Sequence, residues 1–173
     1  FETNITDTNF TPSEELGVFE DCGTYNWTVR AYDGTEYSEW ATIFNFSIAS
    51  QITVFFVNNE TNFGQMLEEQ SDDTTDDNPP PMTIQSDSNV LINLSLKALD
   101  ELFVAQPLDT EYFQFMAGES SETNSFNLTQ SQNNWENVSS IYKHFVALLK
   151  YENSSDLAEL ELKVKVPSGE GAG

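Results

Sequence analysis

Alternation of apolar and polar residues is the feature that most limits the folds open to this chain. A period of two places successive side chains on opposite faces of a β-strand. The alternation is clearest in four segments, residues 24–32, 43–48, 90–96 and 158–166. It predicts half-buried strands of antiparallel sheets, each with one face on a core.

The alternation also predicts which side chains face the core. Trp27 lies on the apolar side of its segment and is interpreted as the packing tryptophan of a sandwich. A further strand is predicted within residues 140–151, and a polar turn at residues 152–156 would join it to the last strand as a hairpin. The inward sets are Tyr25, Trp27, Val29 and Ala31; Phe44, Phe46 and Ile48; Val90, Ile92, Leu94 and Leu96; Phe145, Ala147, Leu149 and Tyr151; and Ala158, Leu160, Leu162, Val164 and Val166.

Many short strands separated by polar turns are typical of β-sandwiches, and the length of 173 residues allows one large domain or two small ones. Residues 70–81 (QSDDTTDDNPPP) read as a polar, acidic loop closed by prolines. One helix is predicted, over residues 96–103.

Asparagines followed by an acceptor sequence for N-glycosylation are unusually frequent. Nine of the 16 asparagines lie in Asn-X-Ser/Thr sequons, where chance would give about three at this serine and threonine content. A glycan is bulky and hydrated, so an occupied site lies on the surface of a secreted protein. The pattern predicts an extracellular or cell-surface glycoprotein. The nine are Asn4, Asn9, Asn26, Asn45, Asn59, Asn93, Asn127, Asn137 and Asn153.

The sequons also test the predicted strand faces. Asn26, Asn45, Asn93 and Asn127 fall on polar faces, although those faces were assigned from the apolar residues between them. A shift of one residue would turn each glycan into the core, which its volume forbids.

The net charge of −23, from 29 acidic and six basic residues, excludes nucleic acid as a partner. Nucleic acid and anionic membranes both require clustered Lys or Arg. No apolar run is long enough to span a membrane.

The chain begins at Phe1 without a signal peptide and ends in a glycine-rich tail, so it reads as an excerpt or a processed fragment.

Cys22 is the only cysteine, so an internal disulfide is impossible. It is either a buried free thiol or paired with another chain.

Residues 25–34 (YNWTVRAYDG), followed by residues 37–40 (YSEW) and 44–46 (FNF), resemble the last two strands of a fibronectin type III-like domain. The resemblance covers residues 18–49. It implies that residues 1–50 are the C-terminal part of such a sandwich, because too few residues precede the motif for about seven strands.

Residues 51–173 resemble an Ig-like repeat of archaeal and bacterial surface-layer-type proteins. The resemblance rests on Phe63-Gly64, on residues 88–95 (SNVLINLS) and on the turn at residues 164–173 (VKVPSGEGAG). Ser88 stands where those repeats usually have glycine. The resemblance implies an all-β chain of tandem Ig/fibronectin III-like β-sandwiches, the first partial and the second lacking its closing strand, with an archaeal origin favoured.

A sandwich that lacks an edge strand leaves an apolar groove and unpaired backbone groups. Either the excerpt is simply cut there, or a strand from a neighbouring subunit fills the gap.

Residue types that carry catalysis or bind transition metals are scarce. His144 is the only histidine, so we expect no enzyme and no catalytic residue. Calcium is the one metal that the sequence suggests, because Asp72, Asp73, Asp76 and Asp77 cluster in the acidic loop. The alternative is a solvated acidic loop without a metal.

Together these features predict a non-enzymatic structural glycoprotein of a surface layer or extracellular filament. It would form a homo-oligomer or polymer through its chain ends, residues 1–16 and 164–173. The alternative is an adhesin or a carbohydrate-binding accessory module of a larger secreted protein. Such a module would present an exposed aromatic platform or an ordered calcium ion.

Overall fold

The computed structural model describes residues 23–170. The chain divides into two compact units, unit 1 (Phe1–Ser50) and unit 2 (Gln51–Gly173). The described residues contain no helix, and every strand pair among them is antiparallel. The predicted all-β fold class is therefore confirmed, whereas the helix predicted over residues 96–103 is wrong. Asn4, Asn9, Cys22 and the end segments 1–16 and 171–173 lie outside the described residues.

Unit 1 contains a two-stranded ribbon of β1 (Thr24–Trp27) and β2 (Phe44–Ser47). The predicted strand over residues 24–32 is regular only as far as Trp27. Beyond Trp27 the two segments of the chain stay close. The Ala41 N–H donates to the Val29 carbonyl (2.8 Å), and an isolated β-bridge joins Tyr32 and Tyr37.

The tip of the ribbon turns at Asp33 and Gly34. Asp33 Oδ1 accepts the N–H groups of Thr35 (2.8 Å) and Glu36 (3.0 Å), and these bonds lower the pKa of Asp33, the Glu36 bond more than the Thr35 bond. Gly34 has φ +99°, a conformation that side chains disfavour.

Unit 2 consists of two antiparallel sheets with an apolar core. The large sheet has six strands in the order β3-β5-β10-β7-β8, with β4 also paired to β10. The small sheet is the pair β6-β9. The strands are β3 (Val54–Asn58), β4 (Ser71–Asp73), β5 (Met82–Ser86), β6 (Ile92–Leu96), β7 (Phe113–Gly118), β8 (Glu136–Asn137), β9 (Lys143–Leu149) and β10 (Leu157–Lys165).

The core lies where the two sheets face each other. Phe115 of β7 and Phe145 of β9 meet across it edge to face, with ring centroids 6.2 Å apart. Both are fully buried and are surrounded by further apolar side chains of both sheets. The arrangement is that of a β-sandwich, and it explains why apolar residues alternate along β6 and β10. The other buried core residues are Ile84, Ile92, Ala117, Phe126, Val138, Val146, Leu149, Ala158 and Leu162.

The last two strands confirm one prediction and correct another. β9 forms as predicted, with Phe145, Ala147 and Leu149 buried. However, β9 pairs with β6 while β10 lies in the large sheet, so the turn at residues 152–156 links two sheets and does not close a hairpin.

The acidic segment at residues 70–81 is part of the large sheet and is not simply a loop. Ser71–Asp73 form β4, which pairs with the C-terminal half of β10, and Thr74 directly after it is fully buried. The composition hid this strand because pairing along a central strand satisfies the backbone of even a polar segment.

The turn after β10 is held by buried residues. Val166 and Pro167 are buried, and Gly169 has φ +84°. The Glu170 carboxylate accepts the N–H groups of Val104 and Ala105, both at 2.8 Å. Residues 164–167 are therefore packed within unit 2 and are not the bare end that the sequence predicted.

Candidate functional site

The sequon asparagines of the described residues lie at or near the surface. Five are exposed, and Asn127 and Asn137 are half-buried. The outward face predicted for Asn93 agrees with this exposure, whereas both faces of β1 and β2 are largely exposed and do not test the faces predicted for Asn26 and Asn45. Asn127 lies between β7 and β8 and not in a strand, where its Oδ1 accepts the Gln130 N–H (3.2 Å). The five exposed residues are Asn26, Asn45, Asn59, Asn93 and Asn153.

Two of the sequon asparagines are directly opposite each other. Asn26 of β1 and Asn45 of β2 are cross-strand partners, so any glycans on them project from one face of the ribbon. The other face carries aromatic side chains, with Tyr25 stacked on Phe46 (5.5 Å) and Trp27 on Phe44 (5.2 Å).

Among the sequon asparagines between Gly23 and Glu170, Asn137 has hydrogen bonds at both ends of its amide. Its Oδ1 accepts from Gln114 Nε2 (2.9 Å), and its Nδ2 donates to the Asp109 carbonyl (3.3 Å). Glycosylation occurs at Nδ2, so modification of Asn137 must compete with this bond.

The four aspartates of the predicted calcium site do not share a centre. Asp73 Oδ1 accepts from the N–H and hydroxyl of Thr75, and Asp76 Oδ1 accepts the Asn78 N–H (3.1 Å). Asp72 Oδ1 accepts the Asp73 N–H (3.0 Å). Within residues 23–170, no three His, Cys, Asp or Glu side chains form a group that could hold a metal ion. Asp72, Asp73 and Asp76 therefore each accept hydrogen bonds from a residue one or two positions further along the same segment.

Two glutamates of β10, Glu159 and Glu161, are at least partly shielded from solvent. Glu161 is buried, and the Thr74 hydroxyl donates a short hydrogen bond to its Oε2. Thr74 Oγ1 in turn accepts the Leu162 N–H at 2.9 Å. Gly118 leaves room for this carboxylate, since a Cβ there would lie 2.5 Å from Glu161 Oε1. Thr74 thus ties the end of β4 to the centre of the large sheet.

Burial and negative neighbours disfavour the charged form of both glutamates on this face. Desolvation first, then the charges of Glu161 and Asp77, raise the pKa of Glu159 to about 7. Desolvation also raises the pKa of Glu161, with Asp77 and Asp73 acting in the same direction, although the Thr74 hydrogen bond opposes the rise. The alternation had predicted both glutamates on a solvent face; for Glu161 this is wrong, because Thr74 and the turn after β4 cover it.

We expect Glu159→Gln to stabilise unit 2 above pH 7 and to have little effect at pH 4. An acid with a raised pKa in the folded state stabilises fully below its unfolded pKa of 4.5, and this stability is lost as pH rises through about 7. With a discount for partial exposure, the gain at pH 8 is about 1–2 kcal/mol.

Thermal denaturation between pH 4 and pH 8 measures this effect. Glu119→Gln, at an exposed position, makes the same chemical change and controls for the reduced net charge. Equal shifts for the two variants at pH 8 would contradict the prediction.

An apolar groove of about 210 Å³ opens between β3 and β6. Val54 and Phe56 line one wall and Leu94 and Leu96 the other, with Phe145 of the core among the lining residues. Among the described strands, β3 pairs only with β5 and β6 only with β9, so both walls end in a strand edge without a partner.

The second exposed surface is the aromatic ribbon of unit 1. Trp27 and Trp40 are each 50% exposed, so the prediction that Trp27 is a packing tryptophan is wrong for the described residues. Its ring instead stacks on Phe44 at the surface of the ribbon. The Arg30 guanidinium lies 3.9 Å from the Tyr37 ring centroid and 4.4 Å from that of Trp40.

Two basic side chains of unit 2, His144 and Lys143, contact polar groups at or near the surface. His144 is exposed, and its Nε2 lies 3.1 Å from the Gln130 carbonyl. Lys143 Nζ contacts Asp109 (2.8 Å) and Glu136 (2.7 Å), and these bonds, with Asp109 first, raise the pKa of Lys143. No helix between Gly23 and Glu170 is long and apolar enough to cross a membrane.

Comparisons with protein-family models, curated proteins and solved structures give no match for this chain.

Sequence reasoning missed Thr74 and Glu161 and the open groove. Thr74 carried no signal, since it lies among polar residues of an acidic segment. The groove had a signal in the sequence, because residues 54–57 (VFFV) are apolar at consecutive positions, whereas a half-buried strand alternates.

Proposed function

We propose that this chain is a structural, non-enzymatic glycoprotein of the cell exterior. It contributes to a surface layer or filament through β-sandwich repeats, and strands of neighbouring subunits complete each other. Unit 1 would be the C-terminal part of a fibronectin III-like sandwich. Unit 2 would be an Ig-like sandwich without its closing strand.

The observation that carries this proposal is the combination of outward sequons with an uncovered apolar groove. Glycans at the exposed asparagines would cover much of the surface and leave the groove bare. A bare apolar groove bordered by free strand edges favours contact with another β-strand over a soluble ligand.

Electron microscopy of the secreted, glycosylated protein tests the proposal. We expect a filament or lattice whose repeat corresponds to one chain. A monodisperse monomer at all concentrations, with a sugar bound in a cleft, would contradict it.

A second candidate function, carbohydrate binding as an adhesin or accessory module, is favoured by the aromatic ribbon. Sugars stack on exposed rings, and Trp27, Tyr37 and Trp40 are each about half-exposed. A glycan array tests this candidate. Binding that is lost in Trp40→Ala and kept in Tyr142→Ala, an exposed ring outside the ribbon, would support it.

We expect the occupancy of the sequons to follow the exposure of each Nδ2. Asn59 and Asn153 lie in exposed connections and should be modified almost fully, whereas Asn137 should be the least occupied of the described sites because its Nδ2 is bonded. Glycopeptide mass spectrometry of the secreted protein measures this. The Asn137 Nδ2 donates to the backbone carbonyl of Asp109, which a substitution would not remove. The matched variant is therefore Gln114→Ala, which removes the bond to Asn137 Oδ1 and should raise the occupancy of Asn137. Full modification of Asn137 in the unaltered chain would contradict the prediction.

A further inference from the structure

The strand β3 is the most exposed apolar element of unit 2. Its first four residues, Val54 to Val57, are 39–60% exposed, although they are all apolar and the strand borders the large sheet. Natural edge strands usually carry charges, prolines or bulges that prevent pairing. β3 has one irregularity, near its end between Phe56 and Asn58, and no charge or proline. Its first three residues form a regular edge that is open to pairing.

Part of β3 faces the core side of the sandwich without a strand above it. Residues paired across strands share a face, and Phe56 pairs with the buried Ile84. Phe56 and Val54 therefore point toward the layer of the small sheet, which contains only β6 and β9. The position beside β6, over Val54 and Phe56, is the open groove.

We propose that β3 of a second copy of the chain fills this groove. A two-fold axis along the groove lets β3 of each copy pair with the free edge of β6 in the other, so the exchange is reciprocal. The inference rests on the proposed function, which brings copies of the chain together, and it specifies one contact between them.

The two strands match in length and in the order of their faces. β3 and β6 each contain five residues. Leu94 and Leu96 line the groove together with Ser95 between them, whereas Asn93 is exposed and is not among the lining residues. A β3 inserted there continues the small sheet and packs Val54 and Phe56 against the same residues of the first copy. The sequon at Asn93 stays on the outer face, so a glycan does not block the contact.

Charge favours this surface over the rest of the molecule. Two copies of a chain with a net charge of −23 repel each other wherever acidic residues meet. Residues 40–59 and 88–96 contain no charged residue, and they include both β3 and β6. The exchange therefore joins the two copies through neutral segments.

The area that would be covered is sufficient for a specific but modest interface. A phenylalanine buries about 150–250 Å² when fully covered, so half-exposed Phe56 with Val54 contributes about 100–200 Å² of apolar surface in each copy. Two copies, with the facing surfaces of β6, reach on the order of 1,000 Å², near the lower limit for specific interfaces. We expect a weak, reversible dimer.

A photo-crosslinking amino acid in place of Phe56 tests the pairing with little disturbance of the fold. Equal amounts of ¹⁵N-labelled and unlabelled glycosylated protein carrying p-benzoylphenylalanine at position 56 are mixed, irradiated and digested. We expect mixed-isotope crosslinks from position 56 to residues 92–96 or 54–56. The same probe at Tyr142, an exposed ring outside the groove, should give none. Crosslinks only within one copy, or to other segments, would overturn the proposal.

Sedimentation velocity of Phe56→Glu provides an independent measurement. Two added charges face each other across the proposed axis, so the dimer should weaken at least tenfold. Val104→Glu adds the same charge at a 96% exposed residue and should leave the dimer unchanged. The opposite pattern would assign the contact to the segment around Val104 and overturn the proposal.

The two experiments separate this inference from the proposed function. Filaments or lattices whose crosslinks avoid β3 and β6 would leave the structural function standing and refute the exchange. A dimer crosslinked through β3 and β6 that never assembles further would support the exchange and refute the surface-layer or filament function.

Discussion

Phe115→Ala is expected to lower the free energy of unfolding of unit 2 by about 3–5 kcal/mol. The side chain is fully buried, and its ring meets Phe145 edge to face, so truncation removes transfer free energy, leaves a cavity and loses the ring contact. Total stabilities of single domains are about 5–15 kcal/mol, so this loss is a large part of the whole.

Hydrogen exchange of the β7 and β10 amides measures this loss in unit 2 alone, which a signal averaged over two units would not. The matched control is Phe55→Ala, the same truncation at a 45% exposed residue of the same sheet. It should cost less than half as much. Equal effects of the two variants would mean that the core is not centred between the two sheets.

The alternation of residues was enough to predict the strands that carry the core. Apolar residues at every second position placed β6, β9 and β10 correctly, because those residues contact the core, although Val146 of β9 and Glu161 of β10 are buried as well. It also placed the exposed Asn93 on the outer face of β6. These features depend on local pattern alone.

What the sequence did not predict depends on pairing between distant residues. β4 is polar and forms only because β10 offers its backbone some 90 residues later in the chain. The helix predicted over residues 96–103 does not form. The Ala98 N–H instead donates to the Ser139 carbonyl (2.9 Å), a bond between distant residues that local propensity does not reveal. Likewise, the burial of Glu161 follows from the turn that covers it and not from its own strand.

The sequence also predicted only part of the candidate site, which comprises the sequon asparagines and the groove between β3 and β6. Outward asparagines and a strand-deficient second sandwich were expected from the sequence and its resemblances. The position of the open edge was not, because the sequence suggested the chain ends. Val164, Val166 and Pro167 are buried, and β3 and β6 are strands with an edge that no described strand covers.

Thr74→Val is expected to destabilise unit 2 by about 2–4 kcal/mol at pH 8. Valine has nearly the same shape, so the core volume is kept and only the hydroxyl is lost. That hydroxyl accepts the Leu162 N–H and donates to the Glu161 carboxylate, all in buried surroundings. Its removal leaves a buried donor and a buried charge without these bonds, and each such loss costs about 1–3 kcal/mol.

The effect should depend on pH in a direction that identifies Glu161. The Thr74 hydrogen bond lowers the pKa of Glu161 against the effect of burial, so its loss raises that pKa further. A protonated Glu161 needs no compensation for a buried charge. The deficit of Thr74→Val should therefore shrink as the pH falls from 8 to 5. Urea denaturation at both pH values measures it, with Thr75→Val, whose hydroxyl is exposed, as the control. If Thr74→Val lowers the free energy of unfolding equally at both pH values, the loss comes from the bond to the Leu162 N–H alone. Glu161 would then have no part in holding β4 on the large sheet.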